Sequence, residues 1–197
     1  MSTIENVQVR IDNIRQGKPF TTNRFLGMGS RAAVDKALSR LVKAKRIKRV
    51  TRGVFVRPLQ NRFIGEVMPE VSHVIKVMTE EQGEKIQIHG AEAARRFKLS
   101  TQMPTQPVYY TSGSSRIVHI GKLNVRLIHT SNSKRLAYGG TNVGLALSAL
   151  WYLGKKQSNK DTISKLRNNL SFEDFNTLCK ASKPSWMAKV IQDYCND

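Results

Sequence analysis

The chain has 197 residues, 40% of them hydrophobic, which supplies a packed core and excludes global disorder. It sets 33 Lys and Arg against 14 Asp and Glu, a formal net charge of +19, so the favoured partner is a polyanion: nucleic acid first, an anionic membrane second. Two cysteines, Cys179 and Cys195, match neither a disulfide framework nor a zinc motif and read as reduced thiols.

The N-terminal run MSTIENVQVRIDNIRQGK is too polar for an export signal. The most apolar run, Val143–Gly154, is far short of the roughly 20 residues that span a bilayer. A cytoplasmic protein without a membrane partner is expected. Ile4, Val7, Ile11 and Ile14 recur at helical spacing and predict a helix over 4–16, stopped by Gly17. Phe20 and Phe25 flank the cap residue Thr21 and predict a hydrophobic staple around a short helix over 22–28. Gly27 and Gly29 make a tight turn, and Ser30 caps a third helix reaching about Ala44. On it Val34, Ala37, Leu38, Leu41 and Val42 form an apolar stripe, and Ala32, Lys36, Ser39, Arg40 and Lys43 face the other way, with Arg31 at the tip. Strands over 47–50 and 54–57 follow, joined by Thr51-Arg52-Gly53.

Three helices and a basic hairpin within the first 58 residues describe a winged helix-turn-helix. The first 60 residues hold 14 of the basic side chains against Glu5, Asp12 and Asp35, a net of +11 against +8 for the remainder. A recognition helix needs small residues at its tip and donors on its outer face; its wing needs cations for phosphates or the minor groove. The DNA-contact set is therefore Ser30, Arg31, Lys36, Ser39, Arg40, Lys43, Lys48, Arg49 and Arg52.

A linker is expected at Leu59–Arg62, then a second domain over 63–197. Pro69 opens a helix carrying Val71, Val74, Ile75 and Met78 and ending at Gly83. A strand over 85–90, a short helix over 91–97, three strands in PVYYTS and RIVHIGKLNVRLIHT with a Gly121-Lys122 turn, a helix over 141–153 and two or three terminal helices complete an α+β chain, its C-terminal domain mixed α/β and ending in helices. The last helix carries Met187, Val190, Ile191 and Tyr194 on one stripe.

His89 beside Glu92 raises acid–base or metal chemistry. A strand-end His bonded to backbone and a Glu in a helix's first turn account for the pair without it. His73, His119 and His129 have no ligand spacing, and the small, polar Ser112–Arg116 lacks a phosphate-loop pattern and reads as a hairpin approach. Tyr109, Tyr110, Trp151 and Tyr152 are stacking candidates, though aromatics in such elements more often serve a core. No catalytic set, metal or cofactor is assigned, and a non-enzyme is expected.

The segment FTTNRFLGMGSRAAVDKALSRLVKAKRIKRVTRGVFVRP resembles the N-terminal winged helix of AbiEi-type antitoxins, the antitoxin half of type IV toxin–antitoxin systems. KIQIHGAEAARRFKLSTQMPTQPVYYTSGSSRIVHIG is similar to the GAEAA, LSTQ and YYTSG core of their short members. The resemblance covers about residues 5–153. It implies an autorepressor that binds operator repeats in double-stranded DNA, two copies pairing there. It also implies a C-terminal part that opposes a nucleotidyltransferase-like toxin without a stable complex. The segments nominated for that surface contribute His89, Glu92, Arg95, Arg96, Tyr110, Ser112 and Arg116. A plain regulator with a sensing or dimerising second domain is the alternative, and a nucleic-acid-modifying enzyme the third reading.

Overall fold

A capping box starts the first helix. Ser2 Oγ accepts from Glu5 N, and the Glu5 carboxylate accepts from Ser2 N at 2.8 Å, opening α1 (Thr3–Asp12) in the computed structural model, which describes residues 2–63 and 65–196. Over these residues the chain is mixed α+β with a helical C-terminal stretch, 51% helical and 18% strand. It divides into two units, residues 1–83 with 119–122, and residues 84–118 with 123–197.

In the first unit α1 buries Val7 and Ile11, and the Arg57 guanidinium caps its end by donating to the carbonyls of Asp12 and Ile14 at 2.5 and 2.7 Å. Next come β1 (Pro19–Thr21), a 3-10 helix over Thr22–Met28, and α2 (Arg31–Lys43), whose cap Ser30 accepts from Ala33 N at 3.3 Å. Strands β2 (Lys48–Thr51) and β3 (Val54–Val56) follow, and the sheet order is β1-β3-β2, antiparallel, with a register shift between Arg49 and Thr51. Phe20, Phe25 and Phe55 fill the core with Val34, Leu38 and Leu41 of the expected apolar stripe.

Four local expectations change. Strand β1 has no counterpart in the sequence reading, because three residues carry no period; it exists by pairing with β3. Phe20 and Phe25 do meet, edge to face at 5.6 Å, but Thr21 caps nothing: its hydroxyl donates to Glu81 Oε1 at 2.5 Å, and the short helix is 3-10. Leu59–Arg62 lies within the first unit, where β4 (Leu59–Asn61) pairs with β5 (Gly65–Val67). The next helix, α3 (Val71–Glu81), starts after Glu70, so Pro69 precedes it and is not in its first turn.

The second unit contains β6 (Ile86–Ile88), α4 (Gly90–Arg96), β7 (Val108–Thr111), β8 (Arg116–Ile120) as far as Val118, and β9 (Leu123–His129), then α5 (Ser133–Leu136), α6 (Asn142–Gln157), α7 (Lys160–Asn169), α8 (Phe172–Lys180) and α9 (Ser185–Cys195). Its sheet order is β6-β7-β9-β8. β6 runs antiparallel to β7, and β7 runs parallel to β9, with Tyr110 opposite Ile128. Among the described residues no helix is long and apolar enough to cross a membrane. Gly154, at φ 71°, breaks α6 before its last residues.

α6 supplies the apolar centre: Val143, Ala146, Leu147, Ala149 and Leu150 are buried with Ala93, Ala94 and Phe97 of α4 and with Ile163, Leu166, Leu178 and Met187 of the terminal helices. Ser148 ties α6 to the sheet by donating to the Ile88 carbonyl at 2.7 Å. α4 and α6 touch at Gly90, where a Cβ would lie 2.4 Å from both the Ser148 carbonyl oxygen and Tyr152 Cβ. Gly90→Ala must push the helices apart and is expected to cost about 1–3 kcal/mol. Gly27→Ala, with no atom within 4 Å of its added Cβ, is expected to stay within about 0.5 kcal/mol. Denaturant unfolding of both variants checks the contrast.

Candidate functional site

The outer face of α2 is built by its period. Because the apolar stripe is buried, Ala32, Lys36, Ser39, Arg40 and Lys43 are left exposed, and Ser30, Arg31, Lys48, Arg49 and Arg52 are exposed too. The nine nominated contacts are not chemically equivalent. Arg31 is held at home: Nε donates to Asp35 Oδ2 at 3.2 Å and Nη1 to Asn23 Oδ1 at 3.1 Å, tying α2 to the 3-10 helix. Lys48 Nζ sits 3.0 Å from Glu66 Oε1, and the Arg49 guanidinium lies over the Phe55 ring at 5.3 Å. Lys36, Arg40, Lys43 and Arg52 make no ion pair with another described residue. These four cations meet an incoming anion without giving up a contact of their own.

The seven nominations in the second unit separate into three groups. Glu92, Arg95 and Arg96 pair among themselves on α4: Glu92 accepts from Arg95 at 2.7 and 2.8 Å and from Arg96 at 2.9 Å, which holds the Glu92 carboxyl below its ordinary range, the Arg95 hydrogen bonds contributing most. Ser112 and Arg116 belong to a loop clamp. Glu84 Oε2 accepts from Thr111 Oγ1 at 2.8 Å and from Arg116 Nη2 at 2.9 Å, Ser112 Oγ accepts from Lys85 N at 2.9 Å, and the His129 ring bonds the Gly113 carbonyl at 2.8 Å. Those groups hold the Thr111–Arg116 loop in shape.

His89 and Tyr110 form the third group, their ring centroids 5.1 Å apart, and the fold adds residues that the sequence did not connect to them. The Arg135 guanidinium lies 5.2 Å from the Tyr110 ring centroid and 4.7 Å from that of Trp151, and Nη1 donates to the Tyr110 hydroxyl at 3.1 Å. Tyr152 stands edge-on to His89 at 6.1 Å and donates its hydroxyl to Gln102 Oε1 at 2.8 Å. His89 Nδ1 accepts from Ala91 N at 3.3 Å, so the proton of the neutral ring is on Nε2. Burial, then the charge of Arg135, hold the His89 pKa below its ordinary value. Arg135 had no sequence signal: it stands in a polar stretch, 25 residues from Tyr110.

Among the described residues no group of three His, Cys, Asp or Glu side chains is placed to hold a metal ion. Burial pushes the Cys179 thiol up, away from thiolate chemistry at neutral pH. The profile of a family described as a family of unknown function (DUF6088) matches residues 6–178. No curated protein matches the chain.

The His89 environment predicts a pH response. Its folded-state pKa lies below the ordinary 6.5, so between those two values the unfolded chain holds a proton that the folded chain lacks. The stability contribution is present above 6.5 and is lost as pH falls below it. His89→Gln keeps an acceptor for Ala91 N and removes the titration. The fall in melting temperature between about pH 7.5 and about pH 5.5 is expected to be smaller in the variant than in the wild type; equal falls would show that His89 does not titrate on unfolding.

Proposed function

The chain belongs to that family, and for this member we propose a cytoplasmic DNA-binding repressor whose first unit is a winged helix-turn-helix, with α2 as the recognition helix and β2–β3 as the wing. The observation that carries the reading is the set of exposed, unpaired cations Lys36, Arg40 and Lys43 on one face of α2, followed by Arg52 in the hairpin. The order of elements supports it. Helix, strand, short helix, capped helix and hairpin follow one another, and the early strand β1 pairs with the second strand of the hairpin, which fixes the hairpin to the helical core. Ser30 and Ala32 keep the tip of α2 narrow, as entry into a major groove requires.

The resemblance to AbiEi-type antitoxins extends the proposal to the second unit. In that reading the protein represses its own operon by pairing two copies on operator repeats. Its second unit opposes a nucleotidyltransferase-like toxin without a lasting complex, and the protein is not itself an enzyme. The decisive experiment measures binding to double-stranded DNA from upstream of the protein's own reading frame, and growth rescue when the neighbouring toxin gene is co-expressed. Full-length Lys36→Ala/Arg40→Ala is expected to lose operator binding and keep rescue. Rescue lost together with DNA binding would leave a plain regulator.

Binding itself makes a sharper prediction. Lys36→Ala or Arg40→Ala is expected to cost about 1–3 kcal/mol on the specific site and much less on random DNA. Arg52→Ala is expected to weaken both DNAs alike and to reduce the slope of log K against log salt by about one. An unchanged slope removes Arg52 from the phosphate contacts, and equal losses on both DNAs make Lys36 and Arg40 backbone anchors.

A further inference from the structure

Arg135 in the second unit is half-buried and has no carboxylate partner among the described residues. A guanidinium withdrawn from water without a counter-ion is costly to keep, and folds usually satisfy it with an acid. Here its neighbours are aromatic: the guanidinium lies beside the rings of Tyr110 and Trp151, and the Tyr110 hydroxyl takes one of its five N–H groups. The acid of neighbouring α4, Glu92, is spent on Arg95 and Arg96. His89 adds a further donor, because its Nδ1 is occupied as an acceptor and Nε2 carries the proton. Beside these donors stands Tyr152, 39% exposed, its hydroxyl held by Gln102 and one ring edge set against His89.

We propose that this cluster is a nucleotide site: a phosphate bonds the free edge of Arg135 and His89 Nε2, and the base stacks on the partly exposed ring of Tyr152. Each part answers to a feature of the cluster. Donors without an acid select an anion, and a planar guanidinium held by a hydrogen bond to Tyr110 suits the paired oxygens of a phosphate. A partly exposed aromatic ring held by a hydrogen bond offers stacking to any base at little entropic cost. The ligand is either a free nucleotide or one residue of a single-stranded RNA. The site lies wholly in the second unit and stands whether or not the first unit binds DNA.

The test uses the full chain carrying Lys36→Ala, Arg40→Ala, Lys43→Ala and Arg52→Ala, so that the basic face of the first unit does not mask the result. The probes are AMP, measured by calorimetry, and a fluorescein-labelled single-stranded oligoadenylate, measured by anisotropy, each in competition with inorganic phosphate. Adding Arg135→Gln or Tyr152→Leu is expected to weaken binding at least about fivefold, while Arg126→Gln, an exposed cation on β9, leaves it unchanged. Circular dichroism and melting establish that each variant folds; if Arg135→Gln does not, the exposed Tyr152 decides. Tighter binding of the oligomer than of AMP identifies an RNA strand as the ligand, and equal binding a free nucleotide. The proposal is overturned if neither probe binds, if folded variants bind as the parent does, or if inorganic phosphate competes as well as AMP, which leaves the base unrecognised.

Discussion

The first unit depends on Phe20. It sits on a strand of three residues and touches both halves of the unit, edge-on to Phe25 of the 3-10 helix at 5.6 Å and stacked on Phe55 of the hairpin at 6.2 Å. Backbone pairing of Phe20 with Phe55 brings the two together, and Arg49, opposite Phe55 on the far strand, covers the Phe55 ring with its guanidinium. A row of two rings and a guanidinium therefore crosses all three strands. Without it the hairpin would be an isolated two-stranded ribbon, which is marginal in water. With it, the basic hairpin and α2 are held by the same core, so their charges have one defined arrangement. That arrangement gives the DNA-binding proposal its geometric content.

In the second unit the corresponding constraint is close approach. Gly90 lets α4 lie against α6, and the Ser148 hydroxyl fastens α6 to the end of β6. His89 caps α4 at that junction, so it arrives beside Tyr152 of α6 and Tyr110 of β7. The ring cluster is thus a consequence of helix packing. Nucleotide binding there draws on side chains that the packing has already ordered, which lowers the entropic cost of recognition.

The two regions use their positive charge differently. On α2 the unpaired cations are exposed, suited to phosphates whose positions are set by a duplex. Around Arg135 a single cation is held by rings in a half-buried place, suited to one anion in one orientation. Elsewhere some basic side chains are structural. Arg57 ends α1, and Lys183 ends α8 by donating to the carbonyls of Leu178, Cys179 and Ala181. A net charge of +19 therefore overstates the surface available to a polyanion.

Sequence alone determined the elements whose signal is local. The Ser30 cap, the stripe Val34, Ala37, Leu38 and Leu41, and the exposed row opposite it follow from a 3.6-residue period and a cap hydrogen bond, both set within one turn of the chain. The same holds for the helix expected over 141–153 and for Met187 and Ile191 on α9. Tertiary structure alone decided what distant residues do to each other. β1 is a strand only because β3 lies beside it, and Thr21 spends its hydroxyl on Glu81 across 60 residues instead of capping the helix it precedes. The nominated surface of the second unit separates into an ion cluster, a loop clamp and a ring cluster, and Arg135 joins the last through partners 25 and 16 positions away in sequence. Caps and periods are encoded in neighbours; strand pairing and side-chain partnerships depend on which surfaces the whole fold brings together, and no local pattern carries that information.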